Sequence, residues 1–298
     1  MKKILSYSLF AQRENVARPY DKHRANVNRY WFNIPFLVIC NSLFYPNFIT
    51  RFYIHKNMSN KNLFSLLKKI NASFDNVELV VKKDIYSACE PMLWRLFPLL
   101  EKDVKYCFCR DIDSTPNERE LRSVLFFIQS GLWVHSMRTH PYHNGLPIFG
   151  GLCGFNVEKL REKNMIGNKF ENSIRWKKTY KFGEDQGFLG RYFYKTYQKY
   201  RDKYLDSPIN SPCWGKKAVK IRGRGTTYYD DSHYQKVDIS YVNEKCLQLS
   251  NSVTKWPGQP VNARGGNLSD LLNDENLFSE KMKKIIVDDK FLKKFYKI

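Results

Sequence analysis

Short apolar runs alternate with stretches of helical spacing along the first two hundred residues. Lys3–Phe10 is predicted as a strand. Asn26–Phe44 has helical character, with Pro35 as a kink or break inside it. Ile49–His55 is rich in β-branched and aromatic residues and is predicted as a strand. Ser59 is placed to cap a helix over Asn60–Ile70, whose Leu63, Leu66, Leu67 and Ile70 share one face. Val77–Val81 is a buried strand, Pro91–Leu100 a helix opening on proline, and Val104–Cys109 another strand. Thr115 to Glu118 opens a helix that runs to Ser130 and stops at Gly131. Trp133–Met137 and Ile148–Phe155 are predicted as extended, and Glu184–Tyr200 as a helix. Strands alternating with helices imply an α/β layer fold with a mainly parallel sheet.

The texture changes after Asp206. Ser207-Pro208, Ser211-Pro212, the glycines from Gly215 to Gly225 and Trp256-Pro257-Gly258 are turn and loop chemistry. The expected organisation is therefore a catalytic or binding domain over residues 1–205 and a loop-rich, helical extension over 206–298 that packs on it. Lys281–Ile298 is predicted as a helix with apolar Met282, Ile285, Ile286, Phe291, Leu292 and Phe295. Its seven lysines against two aspartates leave two readings: a surface helix docked on the core, or an amphipathic helix in weak peripheral contact with an anionic membrane. Tyr30 to Ile49 is apolar enough to suggest a membrane span. Asn33, Pro35, Asn41, Pro46 and Asn47 interrupt it, so a buried helix leading into a buried strand is expected instead.

Composition adds one unusual quantity. The 298 residues carry 50 Lys and Arg against 29 Asp and Glu, a net charge of +21. Such a balance favours anionic partners. Residues 1–190 hold +12 and residues 191–298 hold +9, so the excess is spread along the chain and no dedicated nucleic-acid groove is expected. The seven cysteines include no CxxC pair and imply reduced, buried thiols. With no signal-peptide core in MKKILSYSLFAQRE, the expectation is a soluble, cytoplasmic protein.

The most informative segment follows the Val104–Cys109 strand: Cys109-Arg110-Asp111-Ile112-Asp113-Ser114. In an extended segment residues i and i+2 point the same way, so Asp111 and Asp113 present two carboxylates together. Ligands of α/β sheets bind at the carboxyl ends of strands. Two carboxylates there suit Mg²⁺ or Mn²⁺, which share their remaining positions with phosphates and waters. Downstream come Arg119-Glu120, Val134-His135-Ser136-Met137-Arg138-Thr139-His140-Pro141-Tyr142-His143, then Ile148-Phe149-Gly150-Gly151-Leu152-Cys153-Gly154 and Glu184-Asp185-Gln186-Gly187-Phe188-Leu189.

In this order the motifs resemble a family of small metal-dependent glycosyltransferases of the GT-A fold, found in bacterial surface-glycan clusters and large DNA viruses. That family's pattern has R-D-x-D-S at a strand end with R-E shortly after, then H-x-M-R-D-H-P-x-H, G-G-x-W-G and D-Q-x-F-L. The N-terminal SYSLF and Trp94-Arg95-Leu96-Phe97 also resemble it. The likeness covers roughly residues 2–200. Thr139 and Cys153 depart from the pattern, standing where the family often has Asp and Trp.

The resemblance implies a GT-A-like mixed sheet flanked by helices. It implies transfer of a sugar from a nucleotide-diphosphate sugar, a UDP-sugar by preference, to a hydroxyl of a glycan or glycoprotein. Asp111 and Asp113 would hold Mn²⁺ or Mg²⁺, with His233 reaching back to the metal. Ser6, Ser8, Leu9 and Arg95 would line the nucleotide pocket. Arg110 and Arg138 can pair with phosphate oxygens through a planar fork, and His140 would lie near the sugar. Gly150 and Gly151 would let backbone approach the ligand closely. Asp185 would face the acceptor and take the hydroxyl proton if configuration is inverted. Two rivals stand beside this: a nucleic-acid-binding protein using the basic surface, and a metal-dependent phosphodiesterase using the same aspartates.

Overall fold

A computed structural model describes residues 1–9, 31, 33–55, 61–83, 90–138, 148–175, 184–199, 204–208, 227–228, 235–254, 279–290 and 292–293. Eight strands form one sheet: β1 (Lys2–Leu9), β2 (Ile49–His55), β3 (Val77–Lys82), β4 (Val104–Arg110), β5 (Val134–Arg138), β6 (Leu152–Asn156), β7 (Tyr204–Pro208) and β8 (Thr227–Tyr228). Their spatial order is β3-β2-β1-β4-β6-β5-β7-β8. The sheet is mixed: β6 runs antiparallel to both β4 and β5, and the other pairs are parallel. The mixed α/β sheet flanked by helices that the sequence predicts is therefore present, and its first four strands have a Rossmann-like order.

The helices are α1 (Asn33–Phe44), α2 (Lys61–Ser73), α3 (Glu118–Ser130), α4 (Val157–Glu162), α5 (Asn168–Arg175), α6 (Glu184–Lys199), α7 (Glu244–Val253) and α8 (Glu280–Val287), with a 3₁₀ helix over Glu90–Leu100. Pro35 lies within α1 near its described start, so the helix continues through it to Phe44. The apolar stretch around it is a 12-residue buried helix followed by β2, as expected. Among the described residues no helix is long and apolar enough to cross a membrane. At α3, the side chain of Asn117 accepts from the Glu120 N–H, and Gly131 ends the helix at φ 65°. A left-handed residue there suits glycine, which has no Cβ to clash.

Strand alternation divides the core into two layers. Leu5, Tyr7 and Leu9 of β1 and Tyr106 and Phe108 of β4 face a layer built by α1, α2 and α3. The same layer takes in Val237, Ile239, Cys246 and Val253 near or on α7, and Met282, Ile285 and Ile286 of α8. Ile4, Cys107 and Cys109 face the other way, onto Leu93, Leu96 and Leu99 of the 3₁₀ helix and onto residues of α4, α5 and α6.

This arrangement answers two sequence expectations. Met282, Ile285 and Ile286 of α8 are buried in the core, as the docked reading expects, while Phe291 and Phe295 lie outside the described residues. The expected boundary at 205/206 falls inside β7, which pairs along its length with β5.

A candidate metal and nucleotide site at the end of β4

β1 has β2 on one side and β4 on the other, so the strand order reverses between β1 and β4. Open α/β sheets place ligands in the crevice beyond the carboxyl ends of strands at such a point. β1 ends at Ser8 and Leu9 on this side of the sheet, and Asp111 is the residue that follows β4 there.

The chain does not remain extended past β4. The Ser114 N–H donates to the Asp111 carbonyl at 3.2 Å, and the Ser114 hydroxyl donates to the same oxygen at 3.0 Å. Asp111 to Ser114 is therefore a tight turn, stabilised as Ser-containing turns are. Asp111 and Asp113 share this turn, and the strand alternation used to align them does not apply. Asn33, at the start of α1, braces the turn from behind. Its Nδ2 donates to the Ile112 carbonyl at 2.9 Å, and its Oδ1 accepts from Thr115 Oγ1 at 3.2 Å. The far side is held by α7: the Ser250 hydroxyl donates to the Pro116 carbonyl, and Asn117 Nδ2 donates to the Thr254 carbonyl at 3.3 Å. Asn33 was visible in the sequence only as a polar break in an apolar run, and Ser250 and Thr254 carried no signal.

Arg95 joins two carboxylates. Its Nη1 pairs with Asp111 Oδ1 at 2.5 Å, and its Nη2 with Asp185 Oδ2. The Asp111 side chain is 44% exposed, whereas Asp185 is 1% exposed and Arg95 7%. Burial works against the Arg95 charge, but Asp111 and Asp185 more than offset it, and the guanidinium stays firmly protonated. Burial lifts the Asp185 carboxyl above the usual carboxylate range, with Arg95 pulling the other way. Asp185 Oδ1 is buried and has no hydrogen-bond partner among the described residues. The carboxylate expected to face an acceptor is thus sealed in this arrangement.

Gly150 and Gly151 make room for these same carboxylates. A Cβ on Gly151 would lie 2.7 Å from Asp111 Oδ1, and one on Gly150 would lie 3.1 Å from Arg95 Nη2 and press on Asp185. Their close approach is to the chain's own acidic groups, where the sequence suggested approach to a ligand.

The remaining predicted site residues separate into three sets. Ser6 and Ser8 lie on the 3₁₀-helix face of β1, and their hydroxyls are buried with no hydrogen-bond partner among the described residues. Leu9 turns its side chain into the opposite core layer. Arg110 also turns that way: its Nε meets Glu120 Oε1 of α3 at 2.5 Å, and its Nη1 donates to the carbonyls of Cys109 and Cys153 at 2.9 and 2.8 Å. Both partners of the Arg110–Glu120 pair are 3% exposed, so this cation is spent inside the protein and not on a phosphate. Arg138 contributes its backbone to β5, pairing in register with Pro208, but its side chain is outside the described residues. His140 and His233 also lie outside them.

His135 is a core histidine. It is fully buried, stacks on Phe127 with ring centroids 5.2 Å apart, and meets Ser123 Oγ through Nε2 at 2.9 Å. Burial, then the nearby Arg110 charge, pushes its pKa well below the ordinary value and keeps the ring neutral. Cys109 and Cys153 face each other across β4 and β6, with burial raising both thiols, so they remain protonated packing groups.

Among the described residues no three His, Cys, Asp or Glu side chains cluster as a metal site complete in itself. The donor chemistry at the turn suits a hard cation that draws most of its shell from elsewhere. Asp111 and Asp113 supply oxygen only, and Mg²⁺-type ions commonly bind one or two carboxylates plus phosphates and waters. The charge count agrees. Asp111, Asp113 and Asp185 against Arg95 leave two negative charges among these four groups. No family model matches the chain, and no curated protein matches it.

Proposed function

We propose that the chain is a metal-dependent glycosyltransferase with a GT-A-like catalytic fold, using a nucleotide-diphosphate sugar as donor and a hydroxyl as acceptor. One observation carries this reading: the carboxylate-bearing turn Asp111 to Ser114 lies at the carboxyl end of β4, beside β1, where the strand order reverses. The motif resemblance along residues 2–200 supports it, since the Arg95, Asp111, Gly150, Gly151 and Asp185 elements, distant in sequence, converge in space.

In the reaction, the bond from the anomeric carbon to the diphosphate oxygen breaks and a bond to the acceptor oxygen forms. The acceptor hydroxyl gives up its proton to the departing diphosphate or to solvent water. Asp111 and Asp113 would hold Mn²⁺ or Mg²⁺, which supplies charge neutralisation for the departing diphosphate. Ser8, whose buried hydroxyl has no hydrogen-bond partner among the described residues, lies on the 3₁₀-helix face of β1 and would bond a donor oxygen that reached it. Asn33, Thr115 and α7 hold the turn rigid, so little order is lost when ligand arrives.

The test is a melting experiment with UDP and other nucleoside diphosphates, each with Mn²⁺ and with excess chelator. Ligand at 100 times its dissociation constant adds roughly 2.7 kcal/mol of apparent stability. Stabilisation that depends on Mn²⁺ supports the reading. Equal stabilisation in chelator, or none with any nucleotide, overturns it.

A further inference from the structure

Asp185 holds the least explained polar atom at the site. Its side chain is 1% exposed, one oxygen rests on Arg95, and Oδ1 has no hydrogen-bond partner among the described residues. A guanidinium fits a carboxylate best when two of its N–H groups grip both oxygens. Arg95 divides its fork instead, Nη1 to Asp111 and Nη2 to Asp185. One cation is therefore shared between a carboxylate open to solvent and a carboxylate sealed in the interior.

We propose that Asp185 is a positioning residue that anchors Arg95 and thereby leaves Asp111 able to take a divalent cation. This rests on the metal-dependent reading above and departs from a role as proton acceptor. A guanidinium lying wholly on Asp111 competes with a divalent ion for the same oxygens. One anchored on a buried counter-charge competes less. When a cation takes Asp111, the released Nη1 has Asp185 Oδ1 to turn to, closing a two-pronged pair in a low-dielectric interior where such pairs are strong. Asp185 then contributes to cation affinity without touching the cation, and the coupling is a free energy between two sites.

The experiment is a Mn²⁺ titration of the full chain, following free Mn²⁺ by EPR, with no sugar donor or acceptor present. Wild type, Asp185→Asn, Arg95→Gln and the double variant are compared, each with a melting curve. Removing the anchor frees Arg95 to settle on Asp111, so Asp185→Asn weakens Mn²⁺ binding roughly tenfold, within the usual range of such couplings. In the double variant the competing cation is gone, and affinity returns to at least the wild-type value. If Asp185→Asn loses turnover but keeps wild-type Mn²⁺ affinity, the anchoring role is overturned and a contact with the acceptor takes its place. Should Asp185→Asn fail to fold, the comparison moves to Arg95→Gln with and without Asp185→Asn. Equal affinities support the anchor, because without Arg95 there is nothing to hold; unequal ones overturn it. A wild-type chain that binds no Mn²⁺ overturns the metal reading itself, an outcome distinct from failure of the anchor alone.

Discussion

Arg110 and Asp111 are adjacent in sequence and belong to opposite layers of the molecule. Arg110 is buried against Glu120 of α3, while Asp111 turns toward Arg95 on the other face of the sheet. Arg110 is the last residue of β4, whereas Asp111 opens the turn that follows it. This separates a cation buried in the core from a carboxylate that is 44% exposed and pairs with Arg95.

Glu120→Gln leaves the Arg110 guanidinium buried without its counter-charge. Breaking such a pair from one side costs about 3–5 kcal/mol. Urea melts are expected to show this loss. Any folded fraction is expected to bind Mn²⁺ as wild type does, because Arg110 does not serve the site. A variant of wild-type stability with weakened nucleotide binding would reverse that assignment.

Asp111→Asn is expected to fold, since the side chain is 44% exposed and Arg95 keeps Asp185 as a partner. Transfer, measured as nucleoside diphosphate release with an acceptor, is expected to fall roughly 10²–10³-fold, the scale seen when one preorganised charge-stabilising group is removed. Asp113→Asn is expected to act in the same direction. Near-normal turnover at saturating metal in either variant removes that residue from the ligand set.

Gly151→Ala and Gly154→Ala form a controlled pair. The Gly154 Cβ would lie 2.5 Å from the Phe108 ring, and the Gly151 Cβ would strike the Asp111 carboxylate. Overpacking of this kind costs about 1–3 kcal/mol. Both variants are expected to melt lower. Only Gly151→Ala should also lose Mn²⁺ affinity, because only there must the proposed metal-holding carboxylate move. Equal loss in both would mean that the site responds to general destabilisation.

His135 gives a pH dependence with a fixed sign. The folded chain keeps the ring neutral, its pKa held well below 6.5 by burial and then by Arg110, while the unfolded chain takes up a proton near 6.5. Below that pH the unfolded state binds more protons, so this group's contribution to stability declines as pH falls, by up to about 1.4 kcal/mol per unit. Above it, His135 contributes no slope. Melting temperatures between pH 7 and 5 are expected to fall less steeply in His135→Gln than in wild type. Parallel slopes would show that another group sets the acid sensitivity.

Much of the framework was legible from local signals. The β-branched run Ile49–His55 is β2 at its predicted bounds, and Asn117 and Gly131 bracket α3 as cap and stop. The misreading at Asp111 and Asp113 has a physical cause. Apolar alternation ends at Cys109, and nothing in the next residues announces that hydrogen bonds from Ser114 will close a turn on Asp111. Arg95 and Asp185 are 90 positions apart, so their ion pair has no periodicity to betray it. α7 does carry a local signal: Asn243 accepts from the N–H groups of Lys245 and Cys246, an N-cap that precedes an amphipathic decade. The loop chemistry around it masked the helix.

The core layer that holds Leu5 also holds Leu292, and Trp31 Nε1 donates to Asp289 at 3.2 Å. A nascent chain emerging from the ribosome therefore cannot close this layer when β4 and α3 are complete. The apolar surfaces of α1 and α2 must wait, partly uncovered, for residues made more than two hundred positions later. Contacts of such wide sequence separation fold slowly and expose sticky intermediates. The extension that braces the acidic turn thus also sets when folding can finish, and a chain cut before α7 is expected to aggregate and not to survive as a smaller folded protein.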